Sequence, residues 1–195
     1  MSAQREYLSM NVKETQAAAR YIATCAQPGD VFVLSGDLGA GKTHFAQGFA
    51  RGMGVARPVA SPTFNIVLEY PEVTPPLYHF DVYRLDEAAQ LEDIDFYALV
   101  ESEGVSLIEW GEKFNDALSE ADVRIVIGEA GETSALTSSL RCGVFAQTSH
   151  PASAAKPERT PCSATRRIIT LSALSVRGEQ LLAALDEAYQ RNKRN

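Results

Sequence analysis

The residues best suited to chemistry form one glycine-rich run, residues 36–43, with the sequence GDLGAGKT. It matches the phosphate-binding pattern G-x-x-x-x-G-K-[ST] at every fixed position. In such a loop the main-chain N–H groups surround a phosphate, and the following helix adds its positive N-terminal end. We expect Lys42, in a loop open to solvent, to reach the β- and γ-phosphates, and the Thr43 hydroxyl to bind Mg²⁺. The run predicts a nucleotide-binding protein, with a plain glycine turn as the alternative.

Two acidic residues follow short apolar stretches, as carboxylates at the ends of buried strands do. Glu109 follows residues 105–108, and Asp81 follows residues 77–80. A phosphate-binding loop needs a second anchor for Mg²⁺, usually such a carboxylate. One acid would hold the metal, directly or through water, and the other would orient or deprotonate the attacking water. The residues alone leave either assignment open, and each acid could also be a solvated carboxylate that starts a loop.

Four further residues lie close to these motifs in the sequence. Thr63 is in a loop where switch-type NTPases place a hydroxyl that senses the γ-phosphate, or it is a turn residue beside a proline. His79 is expected to be a hydrogen-bonded structural histidine rather than a catalytic one. Trp110 is expected to pack against its neighbours. Arg84 is expected at the surface or bonded to a carboxylate, rather than on a phosphate.

The elements that position these residues follow from the apolar periodicity. Residues 31–34 form a short apolar run typical of a buried strand, and Phe45, Phe49 and Met53 recur at helical spacing after the loop. Asn11 is placed to cap an earlier helix. Further strands are predicted at 6–10, 64–70, 77–80, 105–108, 123–127 and 167–171, an irregular helix at 85–99 and a last helix at 178–191.

Length and composition are those of one ordinary globular domain. The chain has 195 residues, of which 45% are hydrophobic and 22% are charged. Its net charge of −7 argues against a broad basic face that grips nucleic acid by itself. We find neither a secretory signal nor an apolar run of the ~18 residues that a membrane span needs, and the three cysteines lack metal-ligand spacing. These features predict a cytoplasmic protein with reduced thiols and no membrane contact.

Residues 129–165 differ in composition from the rest of the chain, because they are rich in Ala, Ser, Thr and Pro. They offer too little large apolar surface to offset the entropy lost on ordering. We therefore expect a mobile insertion within a single domain that spans residues 1–195, and not a second domain.

Four blocks of this sequence resemble the TsaE (YjeE) family, the bacterial ATPase subunit of the machinery that synthesises tRNA threonylcarbamoyladenosine (t6A). The blocks are residues 36–43, 61–64, 79–85 and 108–110, in the order and spacing of the family. The resemblance extends to Glu14 and Thr15, to the arginines at 166 and 167, and to the final helix. It implies a P-loop NTPase-like α/β domain of three layers, with a mixed central sheet flanked by helices.

The resemblance also implies the ligands of the site. It implies bound ATP with Mg²⁺ held by Thr43 and Glu109, and it gives the role in hydrolysis to Asp81, with Lys42 as a second catalytic residue. The implied nucleotide contacts are Thr15, Gly36, Gly39, Ala40, Gly41, Lys42, Thr43, His44, Thr63 and Arg166. Two features depart from the family pattern. His44 stands where the family usually has a small hydroxyl residue, and residues 129–165 separate strands that the family joins by a short turn.

The implied function is that of an Mg²⁺-dependent ATPase required for threonylcarbamoylation of adenosine 37 in tRNAs that read codons beginning with A. The implied partners are the threonylcarbamoyl transferase and its inactive paralogue. These partners, rather than this acidic chain, would supply the surface that binds the tRNA. Two alternatives remain. A P-loop small-molecule kinase would need an arginine-rich lid, which we do not find, and an ATP-gated binding module would hydrolyse ATP only incidentally. A GTPase is disfavoured because the guanine signature [NT]-K-x-D does not occur.

Overall fold

The computed structural model describes residues 3–116, 118, 121–129 and 166–194, which fold around one sheet. Most of the segment expected to be a mobile insertion lies outside the described residues. The elements in chain order are β1 (Gln4–Ser9), α1 (Val12–Ala23), β2 (Val31–Ser35), α2 (Lys42–Met53), β3 (Val67–Tyr70), β4 (Leu77–Asp81), α3 (Phe96–Val100), β5 (Val105–Glu109), β6 (Val123–Glu129), β7 (Arg167–Ala173) and α4 (Val176–Arg194). Short 3₁₀ helices occupy Ala88–Ile94 and Gly111–Phe114.

The seven strands are ordered β1-β7-β6-β2-β5-β4-β3 across the sheet. The four central strands β6, β2, β5 and β4 are parallel, whereas β7, β1 and β3 run antiparallel to their neighbours. Every residue of β2 and β5 is buried, as expected for parallel strands that are covered on both faces. The predicted α/β class and mixed central sheet are confirmed.

Alternate residues of the central strands point into two separate apolar layers. Phe32 and Leu34 lie in a core shared with α1, α2 and α4. Val31 and Val33 lie in a core on the opposite face, shared with α3 and the 3₁₀ helices. On the first face the Phe32 and Phe49 rings meet edge to face, with centroids 4.9 Å apart. The sheet is therefore the middle of three layers, as the resemblance implied.

No helix among the described residues is both long enough and apolar enough to cross a membrane.

Most element bounds agree with the sequence to within a few residues, but one prediction was wrong. The strand predicted from residue 64 begins at Val67, because Ile66 has a left-handed φ of 66° and donates its N–H to the Pro62 carbonyl. The irregular helix predicted at 85–99 is a 3₁₀ helix followed by α3, and Asp95 between them has a φ of 53°. The predicted cap of α1 is confirmed, because the Asn11 side chain accepts a hydrogen bond from the Glu14 N–H.

Candidate functional site

Two glycines shape the loop that joins β2 to α2. Gly36 has a φ of 143°, and a Cβ atom there would lie only 2.4 Å from the carbonyl oxygen of Ile127 in β6. Gly41 has a φ of 106° and immediately precedes Lys42, the first residue of α2. The loop consequently wraps around the N-terminus of α2, where main-chain N–H groups lack partners within the helix. Such a turn can bind an anion.

The Lys42 side chain is buried in the loop, with an exposed fraction of 5%. The expectation that it is open to solvent was wrong. Its Nζ donates to the carbonyls of Gly36, at 2.6 Å, and Asp37, at 2.9 Å. The Trp110 ring covers it, with Nζ 3.6 Å from the ring centroid. Burial lowers the pKa of Lys42, although carboxylates around it, Glu109 foremost, oppose the shift.

Asp81 and Glu109 lie side by side at the carboxyl ends of β4 and β5. They are direct partners in the parallel pairing. Glu109 is also the partner of Leu34, two residues before the glycine-rich loop of residues 36–43, here called the P-loop. Strand alternation points both acids to the face that carries α2, and they are 3% and 2% exposed. The carboxyl ends of parallel strands are where ligands bind in sheets of this kind. The structure thus brings both predicted acids to the P-loop.

The two acids have different hydrogen-bond partners. Asp81 accepts hydrogen bonds from the Thr63 hydroxyl and from the N–H of Tyr83. Glu109 is bonded through Oε1 to Nε2 of His79 at 2.9 Å, and both side chains are buried. His79 is hydrogen-bonded, as expected. One acid is therefore attached to a loop hydroxyl, while the other is fixed by a neighbouring strand.

A cavity of about 270 Å³ opens above the loop. Its lining residues are Leu38, Gly39, Gly41, Lys42, Thr43, His44, Ser61, Thr63, Asp81, Tyr83, Glu109 and Trp110. This volume lies just below the usual range for pockets that enclose a whole small molecule, so it suits the phosphate end of a nucleotide.

The donor set of this cavity fits Mg²⁺. Thr43, Asp81 and Glu109 offer the oxygen ligands that this hard cation prefers. Within the described part of the chain, no cluster of three or more His, Cys, Asp or Glu side chains could hold a metal alone. Mg²⁺ in proteins is commonly held by one or two carboxylates, with waters and substrate phosphates completing its shell. The site therefore matches a cation that arrives with a phosphate ligand.

Four predicted contacts are not among the residues that line the cavity: Gly36 and Ala40, which belong to the glycine-rich loop, and Thr15 and Arg166. Thr15 is fully buried, and its hydroxyl bonds to Ser9 Oγ at 2.8 Å and the Asn11 carbonyl at 3.3 Å. Arg166 is exposed, whereas Arg167 donates through Nε to the Ala40 carbonyl of the P-loop. The Arg167 guanidinium also lies 3.1 Å from where a Cβ of Gly41 would be. The resemblance gave the nucleotide contact to Arg166, but the arginine that contacts the glycine-rich loop is Arg167, the first residue of β7.

The sequence analysis missed an aromatic and apolar rim around the cavity. Trp110 has a left-handed φ of 65°, and its ring centroid is 5.0 Å from that of Tyr83. Leu38, which lines the cavity, is 82% exposed, and Phe64, which follows the lining residue Thr63 in the chain, is 85% exposed. Arg84 is at the surface, as expected, with its guanidinium 5.2 Å from the centroid of the Phe64 ring. Trp110 is the part of the rim that covers Lys42, and its position directly after Glu109 in the sequence was the signal that could have revealed it.

Comparisons with known proteins agree with the geometry. Residues 9–136 match a family model described as "Threonylcarbamoyl adenosine biosynthesis protein TsaE". Over 129 residues the chain is 44% identical to a Bacillus subtilis protein named tRNA threonylcarbamoyladenosine biosynthesis protein TsaE, covering 66% of this chain and 80% of that protein. A Streptomyces coelicolor protein with the same name is 41% identical over 118 residues, covering 58% and 79%.

A solved structure shows the same architecture. The crystal structure of Bacillus subtilis YdiB superposes with a TM-score of 0.69 at 33% sequence identity, and the match covers 96% of this chain and 97% of that chain.

Proposed function

The chain belongs to the TsaE family, and on that premise we propose that it is an Mg²⁺-dependent ATPase in the synthesis of tRNA threonylcarbamoyladenosine. The observation that carries the proposal is the pairing of Asp81 with Glu109 beside a complete P-loop. A structural glycine turn would need no buried acids next to it. Two buried carboxylates and a buried lysine around one cavity are the groups that phosphoryl transfer requires.

In the proposed complex the P-loop binds the triphosphate. Main-chain N–H groups of residues 39–43 would donate to phosphate oxygens at the N-terminus of α2. The Lys42 ammonium would exchange its bonds to the Gly36 and Asp37 carbonyls for charge-assisted bonds to the β- and γ-phosphates. Thr43 and Glu109 would hold Mg²⁺, which neutralises charge on the phosphate oxygens. The bond from His79 would keep the Glu109 carboxylate in a fixed orientation.

Asp81 is proposed to act on the attacking water. Its carboxylate would accept a hydrogen bond from that water, which forms a bond to the γ-phosphorus as the bond to the departing ADP oxygen breaks. In this structure the Thr63 hydroxyl holds one oxygen of Asp81. Turning of Thr63 toward the γ-phosphate would free that oxygen for the water. A cytoplasmic ATPase limited by this turn would be slow without its partners.

The proposed partners are a threonylcarbamoyl transferase and its inactive paralogue, with tRNA contacted through them. The matching relatives are named for t6A biosynthesis, which supports placing this chain in the same process. The modification would be that of adenosine 37 in tRNAs that read codons beginning with A.

Variants of the two acids test the proposal. Glu109→Gln should weaken ATP binding when Mg²⁺ is present and change it little in EDTA, because its role is with the metal. Asp81→Asn should retain Mg-ATP affinity and lose about 100-fold or more in turnover with the partner pair. Calorimetric titrations and phosphate release measure the two effects. Normal hydrolysis by Asp81→Asn in the presence of both partners would refute the proposed catalytic role.

The bond between Thr63 and Asp81 also favours a second candidate, an ATP-gated binding module. If the loop never releases Asp81, ATP would be bound and the partner held without turnover. Single-turnover measurements with the partner pair separate the two, because a module of this kind would release no phosphate while the complex persists.

A further inference from the structure

A second and larger cavity lies away from the P-loop, in a groove between α1 and α2. Its volume is about 780 Å³, and it shares no lining residue with the P-loop cavity. It is lined by Lys13, Gln16, Ala17, Arg20, Tyr21, Thr24, Gln47, Gly48, Arg51, Pro58 and Val59. The proposed ATPase chemistry makes no use of it.

The groove is cationic on an acidic protein. Its charged lining residues are Lys13, Arg20 and Arg51, all three exposed, while the whole chain carries a net charge of −7. The described residues place no carboxylate within ion-pair distance of these three cations. Across α1, α2 and residues 54–60 the one acidic residue is Glu14. Its carboxylate is engaged at the start of α1, where it accepts from the Met10 N–H and from Asn11.

The walls of the groove are built by specific contacts between the helices. A Cβ atom on Gly48 would lie 2.4 Å from the Gln16 carbonyl, so the two helix backbones are in close contact. Gln16 donates to Gln47 at 3.1 Å, and Gln47 in turn donates to the Val59 carbonyl at 3.1 Å. Arg51 donates to carbonyls of the following loop, which fixes its position, and no described carboxylate neutralises its charge. The surface is therefore preformed, which lowers the cost of binding.

We propose that this groove is the docking surface for a carboxylate-rich segment of the partner proteins, the transferase and its paralogue. The inference rests on the proposed function. Complementary charge is the first reason, because three cations that no carboxylate in the described part of the chain neutralises attract an acidic segment. The second reason is the mixed lining, since Tyr21, Pro58 and Val59 offer apolar contacts for a peptide chain.

RNA is the less suitable occupant. Nucleic-acid-binding domains usually carry an excess of positive charge, whereas this chain has a pI near 5.0. An extended polyanion would be repelled by the acidic remainder of the molecule. A short acidic segment needs complementarity only within the groove.

The groove also touches the elements that carry the nucleotide site. α2 contributes Lys42 and Thr43 to the P-loop cavity and Gln47 and Arg51 to the groove. A partner seated here would contact both α2 and the chain just before the loop of Thr63. Docking can therefore change the position of the loop whose Thr63 hydroxyl donates to Asp81.

The test is a double charge reversal, Lys13→Glu with Arg20→Glu, at two exposed positions on α1. Affinity for the purified transferase–paralogue pair, measured by biolayer interferometry with Mg-ATP, should fall about tenfold or more. The loss should shrink as salt is raised, since salt screens exposed charges. ATP affinity of the chain alone, measured by calorimetry, should not change. The matched control is Arg191→Glu with Lys193→Glu near the end of α4, which adds the same charge and should leave affinity for the pair within about twofold.

Three outcomes would overturn the inference. Unchanged affinity of the α1 double variant for the pair would remove the groove as a docking surface and leave the proposed function intact. Failure of the wild-type chain to bind the pair would instead remove the proposed partners. If labelled tRNA binds the wild-type chain and the α1 double variant loses that binding, while its affinity for the pair is unchanged, the groove is an RNA site.

Discussion

Lys42 has a side chain whose charge the folded protein disfavours. It is buried, and the pKa of its ammonium is lowered by desolvation. Because the folded state binds this proton less tightly than the unfolded chain does, protonated Lys42 costs stability at neutral pH. That cost disappears as the pH rises through the folded-state pKa toward the ordinary value of 10.5. The protein thus keeps a destabilising cation in the place where a phosphate would bind.

Replacing Lys42 with methionine should separate stability from function. Lys42→Met removes the buried charge while keeping a flexible apolar side chain under Trp110. We expect a melting temperature at or above that of the wild type at pH 7, and ATP affinity lower by about 10- to 150-fold, equivalent to about 1.5–3 kcal/mol. Thermal melts measure the melting temperature, and calorimetry measures the ATP affinity. Unchanged ATP affinity would remove the P-loop assignment altogether.

His79 is expected to act as a positioning residue for Glu109. His79→Leu would leave the buried Glu109 carboxylate without this hydrogen bond, which costs about 1–3 kcal/mol of stability. It should also weaken the Mg²⁺ dependence of ATP binding, measured by calorimetry with and without EDTA. His79→Gln can place an N–H donor at a similar reach and should recover most of that dependence.

Ser106→Ala is the matched core control for His79, because Ser106 is a fully buried polar side chain whose hydroxyl finds no hydrogen-bond partner among the residues that the structure describes. Ser106→Ala should change neither the stability nor the Mg²⁺ dependence of ATP binding. If His79→Gln behaves like His79→Leu, the role of the histidine is packing alone.

Single residues were predictable where their chemistry is fixed by a motif. Asp81 and Glu109 follow apolar runs directly, so their positions at strand ends could be derived from the sequence. The burial of Lys42 could not, because it depends on a left-handed Trp110 that turns the ring over the loop. Arg167, and not Arg166, contacts the P-loop because of its place in β7, opposite Glu129 of β6. Local sequence does not reveal this pairing.

At the scale of elements, the junction of β2 with the P-loop determines whether the site can form. The end of β2 lies against β6, and the loop leaves the strand through Gly36. Predicted elements matched well where apolar periodicity was strong, as in β2, β5 and α2. They failed at the start of β3, because the left-handed residue Ile66 breaks a segment whose composition alone would continue.

Two alanine substitutions at glycines in this loop test the junction. Gly36 and Gly39 both have positive φ, but an added Cβ would meet the Ile127 carbonyl at Gly36 and nothing within 4 Å at Gly39. Gly39→Ala should cost about 1–2 kcal/mol of stability from backbone strain. Gly36→Ala should cost about 2 kcal/mol or more beyond that, because β6 must shift.

Chemical denaturation compares the two glycine variants, and ATP affinity should fall further for Gly36→Ala. Equal stability of the two would show that contact with β6 does not constrain the loop.

At the scale of the whole molecule, one long connection separates two neighbouring strands within the sheet. β6 and β7 pair antiparallel, with Glu129 directly opposite Arg167. The two ends of the intervening segment are therefore adjacent, at the distance that a hairpin turn spans. Residues 130–165 themselves lie outside the described part of the chain, so their expected mobility stays a prediction.

Replacing residues 130–165 with a short glycine-containing turn should preserve the fold. Each doubling of loop length costs only about 0.6 kcal/mol, so shortening should raise stability by at most about 2 kcal/mol. We expect an equal or slightly higher melting temperature and unchanged ATP binding. A shortened variant that melts well below the parent would show that this segment packs on the domain, with Leu140 and Phe145 as the apolar candidates.

The distribution of charge over the surface could not be predicted from the net charge alone. Net charge correctly describes an acidic molecule, yet the α1–α2 face carries three cations that have no carboxylate partner among the described residues. The near absence of acids from the two helices is visible in the sequence. That the helices lie side by side, so that Lys13, Arg20 and Arg51 line one groove, is a property of the fold.

The indole that covers Lys42 is also the sole tryptophan in the chain. Its fluorescence emission therefore originates from one position, directly above the ammonium that would move when phosphate binds. An unlabelled sample excited at the indole band should report nucleotide entry as a change in intensity or wavelength, without an attached dye. Stopped-flow mixing would then follow arrival, hydrolysis and departure of the nucleotide in real time, while the tyrosines elsewhere contribute little background.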